Sequence, residues 1–151
     1  MDTKDTIDVL NTLLETSIDG ERGFRKVAEH VHASDMQTLF TNRANECRQA
    51  AAELRAQVVQ LGGEPDTGGT ASGALHRGWL ALLGSISGHS DKSLLEACER
   101  GEDSALERYR DALDQPLPDD VRMLVERQYE GVKRNHAQVR ALRDQARAAN
   151  V

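Results

Sequence analysis

Carboxylates and imidazoles on the apolar face of a helix are costly unless they are paired, hydrogen-bonded, protonated or bound to a metal. Several such residues interrupt the apolar periodicity of this chain. Ser17 and Glu21 fall between Leu14 and Phe24, in register with the apolar stripe, and Glu15 and Asp19 sit at its margins. Glu46 follows Leu39 by seven residues and adjoins Cys47; Glu102 lies four residues after Cys98 and three before Ala105. Gln128 and His136 are each four residues from Val132. Carboxylates and an imidazole converging from different helices would hold a divalent cation. The set with the right residue types is Glu46, Glu102 and His136, with Glu15, Asp19 or Glu21 as a ligand from the first segment. The same residues have a plain structural reading. Glu15, Asp19, Glu21 and Glu46 would then be solvated flank residues paired with Arg22, Arg25, Arg43 or Arg48, His136 a hydrogen-bonded core histidine, and Gln128 the partner of a buried group.

Other chemistry finds little support. His30 and His32 are two residues apart, a spacing that does not share a helical face. The GGTASG stretch lacks the lysine and preceding strand of a phosphate loop, and no nucleophile elbow or other acyl-transfer signature occurs. Cys47 and Cys98 have no CxxC or Cys/His spacing and read as small apolar core residues. No catalytic and no cofactor-binding residue is assigned.

The elements that must position these side chains are helices. Ala, Leu, Glu, Arg and Gln dominate, with only five aromatics in 151 residues, a helix-forming composition. Ile7, Leu10, Leu13, Leu14, Ile18, Phe24, Val27 and Val31 recur at steps of three and four and predict a helix over about 5–32, capped by Thr3 or Asp5. Met36, Leu39, Phe40, Ala44, Cys47, Ala51, Leu54, Val58 and Leu61 predict a second over 35–61, capped by Ser34 or Asp35 and stopped by Gly62-Gly63-Glu64-Pro65. After the Gly/Ser/Thr-rich DTGGTASG, a short amphipathic helix is expected at about 73–87, where Trp79 with His76 and Arg77 would cover one end of the fold. Ser90 or Asp91 caps a third long helix over 91–114, and a fourth runs over 119–148 after Gln115-Pro116-Leu117-Pro118. The short loops within each pair make antiparallel neighbours. The long middle connection lets the third helix run parallel to the second, the crossover topology of a four-helix bundle.

The length suits one domain over 1–151. The composition, 38% hydrophobic with 19 basic against 25 acidic residues and a net charge of −6, argues against nucleic acid as a main partner. No apolar run reaches the length of a membrane span. The start MDTKDTIDVL lacks a basic n-region followed by an apolar stretch, and two cysteines do not make a disulfide scaffold, so a cytoplasmic location is expected.

The phrases LNTLLETSIDGERGF, LGGEPDTGGTASGALHRGW, CERGEDSALERY, LPDDVRMLVERQ and HAQVRALRD follow one another in order. Together, over about residues 5–145, the chain resembles a bacterial ferritin-like family of four-helix-bundle proteins that is itself a domain of unknown function. The most specific pieces are Asp19-Gly20, the HR-x-W from His76 to Trp79 and the ERGED at 99–103. The resemblance implies an all-α ferritin-like bundle and leaves the function open. Di-iron members of the wider superfamily bring one Glu from each of two helices and a Glu-x-x-His from each of the others. Here Glu46 is followed at +3 by Gln49, and His136 is preceded at −3 by Lys133; the third helix offers Glu102 or Glu99. At most four of six ligands survive, so a full di-iron centre is not expected; a single site for iron or another divalent metal stays open, and the cofactor is left unassigned.

Three functional readings follow. The first is a non-enzymatic bundle acting through protein contacts or homo-oligomerisation, in a stress-related role. The second is a metal-binding or oxidoreductase protein using Glu46, Glu102 and His136; Lys133 turned into that centre would supply the positive charge instead. The third is a pocket between helices for a small ligand, opened by Gly20, Gly23, Gly101 and Gly131.

Overall fold

The computed structural model describes residues 1–66 and 90–149, and the described residues form four long helices and short turns. They are α1 (Thr3–His30), α2 (Ser34–Gln60), α3 (Asp91–Leu113) and α4 (Asp119–Ala149). The short helix expected at 73–87, with His76, Arg77 and Trp79, lies outside the described residues.

The helix ends follow local chemistry, with two departures from the sequence reading. Asp2, not Thr3 or Asp5, caps α1, because its carboxylate is the one that reaches the Asp5 amide, at 2.8 Å. The N-cap of α2 is Ala33, which has no side chain to offer. Instead the Asp91 carboxylate reaches across from the start of α3 and accepts the His32 and Ala33 amides at 2.9 and 3.2 Å. Those hydrogen bonds pull Asp91 below its ordinary carboxylate range against the opposing effect of burial. At the other end of α2, Gly62 takes φ +85°. The Gly63 amide donates to the Val58 carbonyl and the Gly62 amide to that of Val59, the paired bonds of a Schellman stop that favours glycine. Ser90 caps α3 by accepting the Ser93 amide.

Directions follow from side chains that join the helices. Asn11, early in α1, exchanges hydrogen bonds with the Glu64 carbonyl and the Asp66 amide just beyond α2, so α1 and α2 are antiparallel. The end of α1 meets the start of α3 through Asp91. Arg127 pairs with Glu53 while Asn135 pairs with Glu46, so α4 is antiparallel to α2. Hence α3 runs parallel to α2, and the end of α2 and the start of α3 lie at opposite ends of the bundle. This is the crossover arrangement the loop lengths predicted.

Most packing lies within the α1–α2 and α3–α4 pairs; α1 also packs on α3, whereas α2 and α4 touch only sparsely. The core divides into two apolar clusters. One gathers Leu10, Leu13, Leu14, Leu54, Val58 and Val121 among others near the α1 N-terminus. The other gathers Phe24, Val27, Phe40, Ala44, Leu95 and Val139 near its C-terminus. Phe24 and Phe40 stack there with ring centroids 6.1 Å apart. Among the described residues, no helix is long and apolar enough to cross a membrane.

Candidate functional site

Between the two clusters lies a layer of polar side chains. Arg43 stands on the buried face of α2, one turn from both Phe40 and Cys47, and is 8% exposed. Its Nε donates to Glu102 Oε1 at 2.8 Å, and its Nη1 lies 3.7 Å from Glu46 Oε2. The guanidinium carbon sits 5.3 Å from the Phe24 ring centre, so the ring face also attracts the cation. Glu102 is 1% exposed. Burial pushes its carboxyl above the ordinary range, while the charge and hydrogen bond of Arg43 pull it back. Its second oxygen, Oε2, has no hydrogen-bond partner among the described residues.

A hydrogen-bonded chain continues the layer toward solvent. The Tyr109 hydroxyl donates to Gln128 Oε1 at 2.8 Å. Gln128 Nε2 donates to the Ala50 carbonyl and to Glu53 Oε1, and Glu53 also takes Arg127 at 2.9 Å. Asn135 Nδ2 donates to Glu46 Oε2 at 2.8 Å. Where α2 and α4 diverge, Glu46, Glu53, Tyr109, Arg127 and Gln128 border a cavity of about 360 Å³ that Gly20, Gly101 and Gly131 also line. Gly20 has a packing reason as well: a Cβ there would lie 3.0 Å from Cys47 Sγ, so glycine lets α1 approach α2. Burial pushes the Cys47 thiol up to about 12 and raises that of Cys98 as well. Both are therefore neutral thiols rather than thiolate nucleophiles.

The residues singled out from the sequence are distributed around this layer. Glu102 is inside it. Glu46 stands at its rim, with a side chain 54% exposed. His136 turns instead to Asp103, with Nε2 2.6 Å from Oδ1. Together with Glu99 these form a set whose ligand atoms lie within 4.8 Å of one another, and Glu99 also pairs with Arg143. Glu21 is a flank residue paired with Arg25 at 2.9 Å. Lys133 does not enter the centre; it pairs with Glu130 at 2.7 Å and lies over Tyr129. The cation at the centre is Arg43, which the sequence reading had placed among the flank arginines. Asp103, Tyr109 and Asn135 were also missed, and Glu99 stood only as an alternative to Glu102. The helical spacing held a signal for Arg43, three residues after Phe40 and four before Cys47, and for Glu99 and Asp103, four apart on one face of α3.

Glu15 and Asp19 are buried one turn apart on α1, 4% and 0% exposed. Burial, with the hydrogen bond and charge of Asp66 and the charge of Asp19, pushes Glu15 up to about 8 against the pull of Arg108. A carboxyl raised in the folded state binds its proton where the unfolded chain has released it, so folding stability falls as pH rises between the two values. Unfolding in urea should give a stability about 1–3 kcal/mol lower at pH 8 than at pH 5. Glu15→Gln should remove most of that slope; an unchanged slope would assign it to other groups.

Comparison with solved structures places the fold. The chain is similar to a dodecameric thioferritin, the bacterioferritin-related protein of Bacteroides fragilis, at 21% identity and TM-score 0.80, covering 99% of this chain and 91% of that one. It is similar to a point mutant of Dps1 from Mycobacterium smegmatis at 18% identity and TM-score 0.80, over 93% and 96% of the two chains. A ferritin-like, diiron-carboxylate protein of Bacillus anthracis matches at 17% identity and TM-score 0.75, over 95% and 99%. The fold is thus a ferritin-like four-helix bundle. No curated protein matches the chain in sequence. A family model described as "Domain of unknown function (DUF2383)" matches residues 5–115, and the chain belongs to that family.

Proposed function

We propose that this chain is a non-enzymatic, ferritin-like subunit that assembles with copies of itself and acts through protein contacts rather than oxidation at a two-metal centre. The observation that carries this reading is the Arg43–Glu102 pair. The buried carboxylate in the middle of the bundle already holds a guanidinium, which repels the cations a di-iron group would place there. The remaining donors do not fit that group either. Glu46 is engaged by Asn135, Gln49 stands where α2 would carry a histidine, and Lys133 and His136 bond elsewhere. The likeness to a protein titled a dodecameric thioferritin supports the assembly part of the proposal.

The test is light scattering after size-exclusion chromatography, together with aerobic ferrous oxidation followed by absorbance. An assembly larger than one chain, with iron oxidised no faster than in protein-free buffer, is the expected result. A monomer would refute the assembly, and oxidation that disappears in Glu102→Gln would refute the non-enzymatic reading.

A second reading rests on Glu99, Asp103 and His136, whose donor types suit a single divalent cation between α3 and α4. Two carboxylates one helical turn apart face one imidazole, without help from the bundle interior. Elemental analysis and titration with ferrous iron, manganese and zinc decide it. Near-stoichiometric metal lost in both His136→Ala and Asp103→Ala would establish the site; absence of binding by all three would retire it.

A further inference from the structure

The cavity between α2 and α4 is balanced in charge: Glu46, Glu53 and Glu102 line it against Arg43, Arg127 and Arg134. Glu53 and Arg127 pair with each other at 2.9 Å. Glu102 is closed to a ligand, since Oε1 takes Arg43 and Oε2 is sealed in the core.

Arg43 and Glu46 differ from these. Of the guanidinium donors, Nε–H alone makes a hydrogen bond among the described residues. Nη1 and Nη2 make none, and neither is sealed in the core. Nη1 lies 3.7 Å from Glu46 Oε2, too far for a hydrogen bond. Glu46 Oε2 takes Asn135 instead, which leaves Oε1 without a donor among the described residues. The wall therefore presents open donors beside an open acceptor, with no net charge to balance. Ala50, Ala105, Gly131 and Val132 supply apolar wall nearby. The volume, about 360 Å³, falls within the range of small-molecule sites.

We infer that this cavity binds a small neutral molecule with a primary carboxamide and a short aliphatic body, the amide oxygen accepting from Arg43 Nη and the amide nitrogen donating to Glu46 Oε1. An amide carries an acceptor and donors on one edge without charge. A carboxylate has no N–H for Glu46 and brings a second negative charge beside it. An ammonium has no acceptor for Arg43 and brings a second positive charge beside that. The inference goes beyond the non-enzymatic reading and does not need it: iron oxidation and assembly read one, ligand titration the other.

The experiment is a nuclear magnetic resonance titration of the isotope-labelled full chain with butyramide, and in parallel with sodium butyrate and n-butylammonium chloride. Butyramide should give saturable shifts at the Ala50, Gly101 and Gly131 amides, with a Kd on the order of 1 mM, as expected for so small a ligand. Butyrate and butylammonium should each bind at least about tenfold more weakly, having lost one charge-assisted hydrogen bond. Glu46→Gln tests the recognition itself. Its side chain is 54% exposed and the substituted amide can still accept from Asn135, so the fold should be kept. The variant replaces the acceptor's charge with an amide that can donate, and butyrate should then bind at least as tightly as butyramide. Gly131→Leu tests the place. A Cβ there has room, 3.6 Å from the Arg134 guanidinium, and leucine is the better helix former; the filled cavity should weaken butyramide binding at least about tenfold. The inference is overturned by absence of saturable shifts, by butyrate or butylammonium binding the parent as tightly as butyramide, by an unchanged preference in Glu46→Gln, or by undiminished binding in Gly131→Leu.

Discussion

Arg43→Met should lower stability by about 3–5 kcal/mol, the usual cost of stripping one partner from a buried ion pair. The size comes from what remains. Methionine leaves Glu102 buried beside Cys47 and Phe24 without the guanidinium that compensates it. Glu102 would then have to take up a proton to stay inside, so the deficit should shrink as pH falls. The double variant Arg43→Met with Glu102→Leu should return to within about 1–2 kcal/mol of the parent, because apolar side chains of similar size replace buried pairs well. Urea unfolding of the three variants at pH 5 and pH 8 checks all of this. A single variant as stable as the parent would mean that Glu102 is hydrated rather than buried.

Leu54→Ala should cost about 2–5 kcal/mol, through lost transfer energy and the cavity left behind. Leu54 is fully buried on α2, in the apolar cluster that also holds Leu10, Leu14 and Val121. Val59, on the same helix but 60% exposed, is the control: Val59→Ala should change stability by no more than about 0.5 kcal/mol. A Leu54 loss below about half a kilocalorie would show that the buried stripe of α2 is drawn on the wrong face.

The helices were legible because their signals are local. The threefold and fourfold spacing from Ile7 to Val31 names a face without any knowledge of what covers it, and Gly62-Gly63 announces a stop. Caps were less legible where the capping group came from elsewhere. Asp91 serves the start of α2 from 58 residues away, which no local pattern records. The polar layer was half legible. Glu102 read correctly as inward, since an acidic residue between Cys98 and Ala105 breaks an apolar stripe. Arg43 was misread because a long side chain on a stripe margin can either reach solvent or fold inward. Only the carboxylate and ring that receive it decide which. His136 was read as inward and is mostly covered, 15% exposed at the side chain, yet its partner is Asp103 rather than Glu102. That choice depends on how α4 is rotated against α3, and a rotation of one residue is about 100°.

The four helices form two hairpins joined by one long connection, and this gives the polar layer a further consequence for how the chain assembles. Each hairpin has short-range contacts of its own and can form early, since nearby segments close cheaply. The polar bonds between hairpins join residues far apart in sequence: 59 for Arg43 with Glu102, 74 for Glu53 with Arg127, and 89 for Glu46 with Asn135. Apolar stripes alone would tolerate sliding by one helical turn, about 5.4 Å, because leucine packs on leucine in either position. The charges do not tolerate it. Such a slip leaves a guanidinium and a carboxylate each facing hydrocarbon, so the layer rejects misaligned dockings that the hydrophobic core would accept.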